Sequence, residues 1–139
     1  MMTADMLEPA NGLVISYNYL WAREYDRHEE SGRKARPACV QIIVAGKGGT
    51  VVALFPITSQ PPQAGRTALE IPEIEARRVG LSIPSWIIID EWNLDDLAKS
   101  PHIADPRPIG SLSPVFMKRV RSEAAARIRQ RRYRSVPRR

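Results

Sequence analysis

The chain has 139 residues, a length that predicts one domain able to bury a core without disulfide or metal support. Its single cysteine, Cys39, excludes an intramolecular disulfide, and with two histidines beside it the chain has no Cys/His set with zinc spacing. The formal net charge is +6, but residues 118–139 hold 10 Lys or Arg against one acid, which leaves 11 against 14 elsewhere. The excess basic charge therefore lies in the last helix and tail, where it suits a polyanion such as RNA or an acidic protein partner.

The first dozen residues carry Asp5 and Glu8 and lack both a basic segment and a long apolar run. No stretch of the chain approaches the length of a membrane span. We expect a protein that is not exported, has no membrane partner and works in the reducing cytoplasm, with Cys39 as a buried and inert thiol.

The first predicted strand begins at Gly12. Residues 1–11 show no periodicity and predict a flexible N-terminal arm. Large apolar and aromatic side chains then recur at every second position up to Trp21, the pattern of a strand with one bulky face. Residues 23–35 are charged and have no apolar stripe, so they predict a long polar loop that leads to Arg36.

Residues 36–58 predict a β-hairpin around which the chain is organised. Two runs rich in β-branched residues flank a Gly-Lys-Gly-Gly turn. Because antiparallel pairing brings the outer ends of a hairpin together, Arg36 and Thr58 should lie close in space although they are 22 positions apart. Pro37 favours an extended backbone at Arg36 and so helps to direct its side chain.

Short strands and helices are predicted to follow. Residues 67–71 predict an edge strand. Residues 72–79 predict a helix with acids in its first turn and bases in its last, ended by Gly80. Residues 85–90, with three consecutive isoleucines, predict the most buried strand, with Trp86 in the core.

The last third of the chain ends in a predicted helix. Residues 91–100 predict a short turn or helix, and residues 101–110, with three prolines, an irregular segment. Ser113 and Pro114 provide an N-cap and a first-turn proline for the helix, and residues 131–139 form a basic tail. An apolar stripe on the helix should pack on the sheet or on another subunit. Its members are Phe116, Val120, Ala124 and Ile128.

Together these elements predict a mainly β fold with a C-terminal helix. The single domain spans residues 12–130 and forms a small, bent antiparallel sheet or barrel of about five strands. Many functions occur on such a fold, so the fold alone does not indicate what the protein does.

Five short features follow one another along the chain. They are Gly12 before an aromatic strand, Arg36-Pro37 after the charged segment, Pro56-Ile57-Thr58 at the end of the hairpin, Gly80-Leu81 ahead of Ser85 and its apolar strand, and Ile109-Gly110-Ser111-Leu112 before the last helix. Their order resembles that of the MazF/PemK family of toxin endoribonucleases over residues 12–128. The resemblance implies an SH3-like barrel of the CcdB/PemK type and a homodimer. It also implies cleavage of single-stranded mRNA without metal or cofactor, growth inhibition, and neutralisation by the cognate antitoxin of a type II toxin-antitoxin system.

The same resemblance implies roles for individual residues. The family's catalytic arginine corresponds to Arg36, and its hydroxyl partner corresponds to Thr58. The substrate-binding residues that it implies are Glu29, Glu30, Pro37 and Ser59. The chain departs from the family in a longer charged loop before Arg36, in Asp90-Glu91-Trp92-Asn93 where many relatives have glutamine and arginine, and in its arginine-rich tail.

Metal-free RNA cleavage needs a base for the ribose 2′-OH, stabilisation of negative charge on a phosphorane-like transition state, and an acid for the leaving 5′-oxygen. Arg36 suits the second task because its guanidinium stays charged and offers two parallel donors to phosphate oxygens. Thr58 can donate its hydroxyl to the same phosphate and hold it in line. The candidates for acid and base are His28, Glu29, Glu30 and Asp90.

A second interpretation is a non-catalytic barrel that binds RNA or an acidic partner protein through its basic C-terminal helix. In that case Arg36 makes a surface ion pair and Thr58 is an ordinary hydroxyl at a strand end. Trp21 and Trp92 are candidates for stacking on bases in either interpretation.

Overall fold

The computed structural model describes residues 7–29, 34–46 and 49–138. Within these ranges the chain forms a mainly antiparallel sheet with a C-terminal helix, which confirms the predicted fold class at that level. The elements in chain order are β1 (Leu13–Asn18), α1 (Ala22–Asp26), β2 (Ala35–Gly46), β3 (Gly49–Thr58), β4 (Ala68–Glu70), α2 (Glu73–Val79), β5 (Trp86–Ile88), β6 (Glu91–Asp96), β7 (Ile103–Ser111), α3 (Pro114–Arg129) and β8 (Arg134–Pro137). Of the described helices, none is both long and apolar enough to cross a membrane.

The predicted hairpin is confirmed as β2 and β3. Its register runs from Ala38 opposite Pro56 to Gly46 opposite Gly49, with one register shift beyond Ile42. The hairpin occupies the middle of the sheet, so its outer end is surrounded by other elements.

The sheet separates two apolar clusters, because successive side chains on a strand point to opposite faces. On β1, Val14 faces the cluster beneath α2 and α3, whereas Ile15 faces the other cluster. On β2, Cys39 faces the first of these clusters and Val40 faces the second. Burial raises the pKa of Cys39 to about 12, so the thiol is neutral and buried as predicted.

Helix α3 covers the first cluster with most of its predicted stripe. Phe116, Val120 and Ala124 are buried, whereas Ile128 in the last turn is 46% exposed. At the other end, the Ser113 hydroxyl accepts the Phe116 N–H, as an N-cap does. The prediction is therefore correct for the cap and for the first three members of the stripe.

The order of strands is β4-β5-β3-β2-β1-β7, and β6 pairs with β3 on one side and, in parallel, with β8 on the other. One edge of β3 is shared, because residues 51–54 pair with β6 whereas Ile57 and Thr58 pair with β5. The sheet therefore divides at the end of β3. Trp86, which pairs with Thr58, is only partly buried rather than in the core as predicted. The described strands do not close into a barrel.

Two segments that were predicted as turn and irregular structure are strands. The inward-facing side chains of β6 are Glu91, Asn93 and Asp95, which are at most 9% exposed and hydrogen-bonded. Because these buried side chains are polar, the sequence of β6 resembles that of a surface segment. Strand β7 tolerates Pro106 and Pro108 because it lies at the edge of the sheet, where its pairing with β1 is interrupted by register shifts.

The predicted N-terminal arm is described only from Leu7, since residues 1–6 lie outside the described ranges. Leu7 packs against the second apolar cluster. The Asn11 side-chain oxygen accepts the Ile42 N–H at 2.7 Å. The contacts of the fold therefore begin before the first strand.

The predicted basic tail is part of the sheet. Strand β8 pairs in parallel with β6, and its Val136 is completely buried. The Arg138 guanidinium donates to the Asn18 carbonyl at 2.7 Å and to the Asn93 side-chain oxygen at 3.1 Å. The tail is thus fixed to a strand about 40 residues earlier, a pairing that no local pattern indicates.

The segment predicted as a polar loop begins with a short helix, α1. The Glu24 carboxylate accepts the Trp21 N–H at 3.0 Å, and the Glu91 carboxylate accepts the Ala22 N–H at 2.9 Å. Both bonds supply acceptors for N–H groups that a helix start leaves unpaired. Because Glu91 comes from β6, this helix depends on a tertiary contact.

Candidate functional site

A groove of about 370 Å³, here called the hairpin groove, opens where β2 begins and β3 ends. The outermost ladder pair of the hairpin is Ala38 and Pro56, and two further residues on each strand lead to Arg36 and Thr58. The predicted site residues that line the groove are Arg36, Pro37, Thr58 and Ser59, and the other described lining residues are Lys34, Ala35, Ile57, Gln60, Leu81, Ser82 and Ser85.

Arg36 lies half-buried at the rim of this groove. Its Nε is buried and has no hydrogen-bond acceptor among the described residues. Burial lowers the pKa of Arg36 from its ordinary value, and the charge of Arg23 lowers it further, whereas Glu24 acts in the opposite direction. An arginine stays protonated despite such a shift, so a positive charge lines the groove.

The indole ring of Trp21 supports three guanidinium groups. The Cζ atoms of Arg36, Arg23 and Arg66 lie 5.0, 5.1 and 6.0 Å from the ring centroid. The ring is itself held by an edge-on contact with Tyr19, at a centroid distance of 5.0 Å. Cation–π contacts of this kind fix the arginines in place without consuming their N–H donors.

Thr58 is oriented by the turn that follows β3. Its Oγ1 accepts the Gln60 N–H at 3.0 Å. That bond fixes the side chain but uses only a lone pair, so the hydroxyl hydrogen remains available to donate to a ligand oxygen.

Asp90, one of the four candidates for proton transfer, is committed to Arg66. Both carboxylate oxygens accept from the Arg66 Nε at 3.1 Å, one of them also from Nη2 at 2.7 Å, and the other from the Thr67 N–H at 3.0 Å. Arg66 also donates to Glu91 at 2.9 Å. Burial by itself lowers the pKa of Arg66, but these carboxylates outweigh it and raise that pKa. The Arg66–Asp90 pair therefore acts as a fixed support beside Trp21.

Two of the predicted loop residues, His28 and Glu29, belong to the described part of the chain. His28 and Glu29 follow the end of α1, and neither belongs to the described lining of the hairpin groove. Glu30 lies outside the described residues. The groove thus contains an electrostatic group and a hydroxyl donor, and its general acid and base stay unassigned.

Sequence patterns missed part of this arrangement. Trp21 was a candidate for stacking on bases, but its contact with three arginines joins β2, the start of α1 and the loop before β4, which no local spacing reveals. Ser85, which lines the groove while its hydroxyl donates to the Ser82 carbonyl, was predicted only as a strand start. Arg66 carries one weak signal, its position beside Gly65 in a loop.

Among the described residues, no three His, Cys, Asp or Glu side chains are grouped in a way that can hold a metal ion. Comparisons with family models, with curated proteins and with solved structures find no match to this chain. The function must therefore be argued from the groove itself.

Proposed function

We propose that this chain is a MazF/PemK-like toxin endoribonuclease that cuts single-stranded mRNA without a metal ion and thereby inhibits growth. One observation carries the proposal: the half-buried, positively charged guanidinium of Arg36 shares its groove with the oriented hydroxyl of Thr58. Two such donors on one groove suit a phosphate better than a neutral ligand.

The reaction that these groups fit is transesterification. The ribose 2′-oxygen forms a bond to phosphorus and loses its proton to a base, while the bond from phosphorus to the 5′-oxygen breaks and that oxygen takes up a proton. The products are a 2′,3′-cyclic phosphate and a 5′-hydroxyl. Arg36 stabilises the extra negative charge of the transition state, and its partly desolvated position strengthens that attraction. Thr58 holds a phosphate oxygen in line.

The remaining features of the family belong to the same proposal. They are a homodimer, a cognate antitoxin and a cytoplasmic location. Strand β3 changes its partner from β6 to β5 beside the hairpin groove, and the groove itself supports placing the bound strand there.

Expression in growing cells tests the proposal. The parent chain should arrest growth, and Arg36→Ala and Thr58→Ala should each restore it while the variants accumulate as folded protein. Arg107→Gln is the matched control, because Arg107 is exposed on β7 and pairs with Asp105 away from the groove. It should stay toxic. If both groove variants remain as toxic as the parent, the assignment of the site is wrong.

A non-catalytic RNA-binding protein is the second candidate, favoured by arginines near the end of α3 that have no carboxylate partner among the described residues. Deletion of the tail does not test it, because β8 contributes the buried Val136 and its loss would disturb the fold. Purified protein that binds RNA but leaves it intact would support this candidate over the first.

A further inference from the structure

We propose that a second basic groove, here called the C-terminal groove, binds a backbone phosphate of the RNA strand outside the cleaved bond. The groove has a volume of about 520 Å³ and lies between α1 and the segment that joins α3 to β8. The inference rests on the proposed function for the identity of the strand. It adds a binding site that the hairpin groove does not include.

The charge balance of the C-terminal groove favours an anion. Its lining contains five arginines and three acids. Each acid is already paired: Asp26 binds Arg134 through two bonds of 2.7 and 2.9 Å, and Asp90 and Glu91 bind Arg66. The pKa of Asp26 is lowered by its bond from Arg134, so this pair stays ionised at neutral pH.

The remaining three arginines are the ones open to a ligand. Arg23, Arg131 and Arg132 have no carboxylate partner among the described residues, and all three are exposed. Guanidinium groups bind phosphate through parallel N–H donors, which suits them to a phosphodiester. The groove thus offers guanidinium donors that are not paired with a carboxylate. Its three acids are paired with Arg134 and Arg66, so they repel an anionic ligand little.

Arg131 is held in a backbone conformation that an arginine seldom adopts. Its φ is 55°, in the left-handed region. The Arg131 N–H donates to the Ile128 carbonyl at 3.0 Å, and the Arg132 N–H donates to the Arg127 carbonyl at 2.9 Å. These two bonds define the helix ending in which glycine is the usual residue. A non-glycine residue at that position costs stability, and such strain is typical of functional sites.

One arginine of each groove lies over the ring of Trp21. Arg36 lines the hairpin groove and Arg23 lines the C-terminal groove, yet their Cζ atoms lie 5.0 and 5.1 Å from the same ring centroid. The two guanidinium groups are therefore no more than about 10 Å apart, roughly one Debye length at physiological salt. A single strand that leaves the hairpin groove can therefore reach the C-terminal groove with its next phosphates.

Binding by the full chain tests this site. The probe is a fluorescein-labelled, mixed-sequence 2′-O-methyl RNA of twelve nucleotides, which lacks the 2′-hydroxyl needed for cleavage. The test variant is Arg131→Gln with Arg132→Gln, and the matched control is Lys118→Gln with Arg121→Gln. The control removes the same charge from exposed positions on α3 that do not line the groove. Unfolding midpoints of both variants confirm that each is folded.

The test variant should bind the probe about tenfold more weakly than the parent and should lower the salt slope of log K by about 0.7 for each lost phosphate contact. The control should lose much less affinity for the probe, and its salt slope should change much less. Equal losses in the two variants would overturn the proposal, because the effect would then be one of net charge.

A competing peptide distinguishes RNA from an acidic protein as the ligand of the C-terminal groove. Polyglutamate should compete only weakly with the probe. If the parent binds this peptide more tightly than RNA and loses it with the test variant, the groove is a site for an acidic protein and the proposal fails. Because the binding measurement does not depend on cleavage, a parent chain that binds RNA through this groove but cuts none contradicts the proposed function alone.

Discussion

The guanidinium carbon of Arg36 lies 5.0 Å from the centroid of the Trp21 ring, so the proposed catalytic charge rests on an aromatic surface rather than on a carboxylate of the described chain. A carboxylate would neutralise the charge that a phosphate needs, whereas the ring holds the guanidinium and leaves its donors free.

Replacement of this ring should weaken catalysis more than stability. We expect Trp21→Leu to lower kcat/KM for RNA about tenfold, from loss of a cation–π contact worth about 1–2 kcal/mol. Trp21→Phe keeps an aromatic ring that makes a weaker cation–π contact, so it should lower kcat/KM less. Steady-state cleavage rates measure the effect, and urea unfolding shows whether each variant stays folded. A leucine variant as fast as the parent would show that the ring has no part in placing Arg36.

Asn93 fixes the backbone immediately before Trp21. Its side chain accepts the Leu20 N–H at 2.9 Å and donates to the Leu20 carbonyl at 2.8 Å, one residue before Trp21. We expect Asn93→Ala to reduce the free energy of unfolding by about 2–4 kcal/mol, because it leaves buried backbone groups without partners. Asn18→Ala, at a partly exposed position on β1, should cost less than about 1 kcal/mol. Urea denaturation of both variants compares them, and similar losses would contradict the assigned role.

Arg131→Gly should make the protein more stable and a weaker RNA binder. Glycine removes about 1 kcal/mol of left-handed strain, partly offset by its larger unfolded entropy, so the net gain should be about 0.5 kcal/mol. Arg131→Ala removes the same side chain but keeps the strain of the positive φ. It should therefore bind RNA as weakly as Arg131→Gly, with no gain in stability. Melting temperatures and RNA affinities of the pair test the prediction. A glycine variant no more stable than the alanine variant would argue against backbone strain at this position.

Stability should fall at alkaline pH. Burial raises the pKa of Cys39 from 9.0 to about 12, and burial also raises the pKa values of Tyr17 and Tyr19 above their ordinary 10.0, helped by Asp95 and Glu91 respectively. At alkaline pH these three groups stay protonated in the folded chain, whereas the same groups in the unfolded chain have already lost their protons. The unfolding free energy should therefore be constant from pH 7 to about 8.5 and decline above pH 9, by up to about 1.4 kcal/mol per pH unit for each group.

Urea unfolding at a series of pH values measures this decline. Cys39→Ala should remove the decline in unfolding free energy that begins near pH 9. It should keep the decline above pH 10, which comes from the tyrosines. A profile that stays level to pH 11 would show that these side chains reach solvent.

Local patterns were sufficient for elements whose own residues determine them. The hairpin follows from its β-branched runs and glycine turn, and α2 from acids, bases and Gly80, which has a φ of 91°. The meeting of Arg36 and Thr58 on one groove follows from antiparallel register, which is a rule of geometry rather than of packing.

Elements that depend on distant partners were mispredicted. Strand β6 turns polar side chains inward, and these bind groups from β1 and α1, such as the Tyr17 hydroxyl on Asp95 at 2.6 Å and the Ala22 N–H on Glu91. Strand β8 exists only by pairing with β6. The gathering of three arginines on Trp21 is likewise a product of tertiary packing, so that part of the site was not predictable from spacing.

The central claim is that the hairpin groove cleaves RNA through Arg36 without a metal ion. The most direct test incubates the purified chain with a labelled single-stranded RNA in EDTA and identifies the new ends. We expect fragments with 2′,3′-cyclic phosphate and 5′-hydroxyl termini, and a rate at least about 10²-fold lower for Arg36→Ala. Intact RNA with the parent chain, or equal cleavage by Arg36→Ala, would contradict the claim.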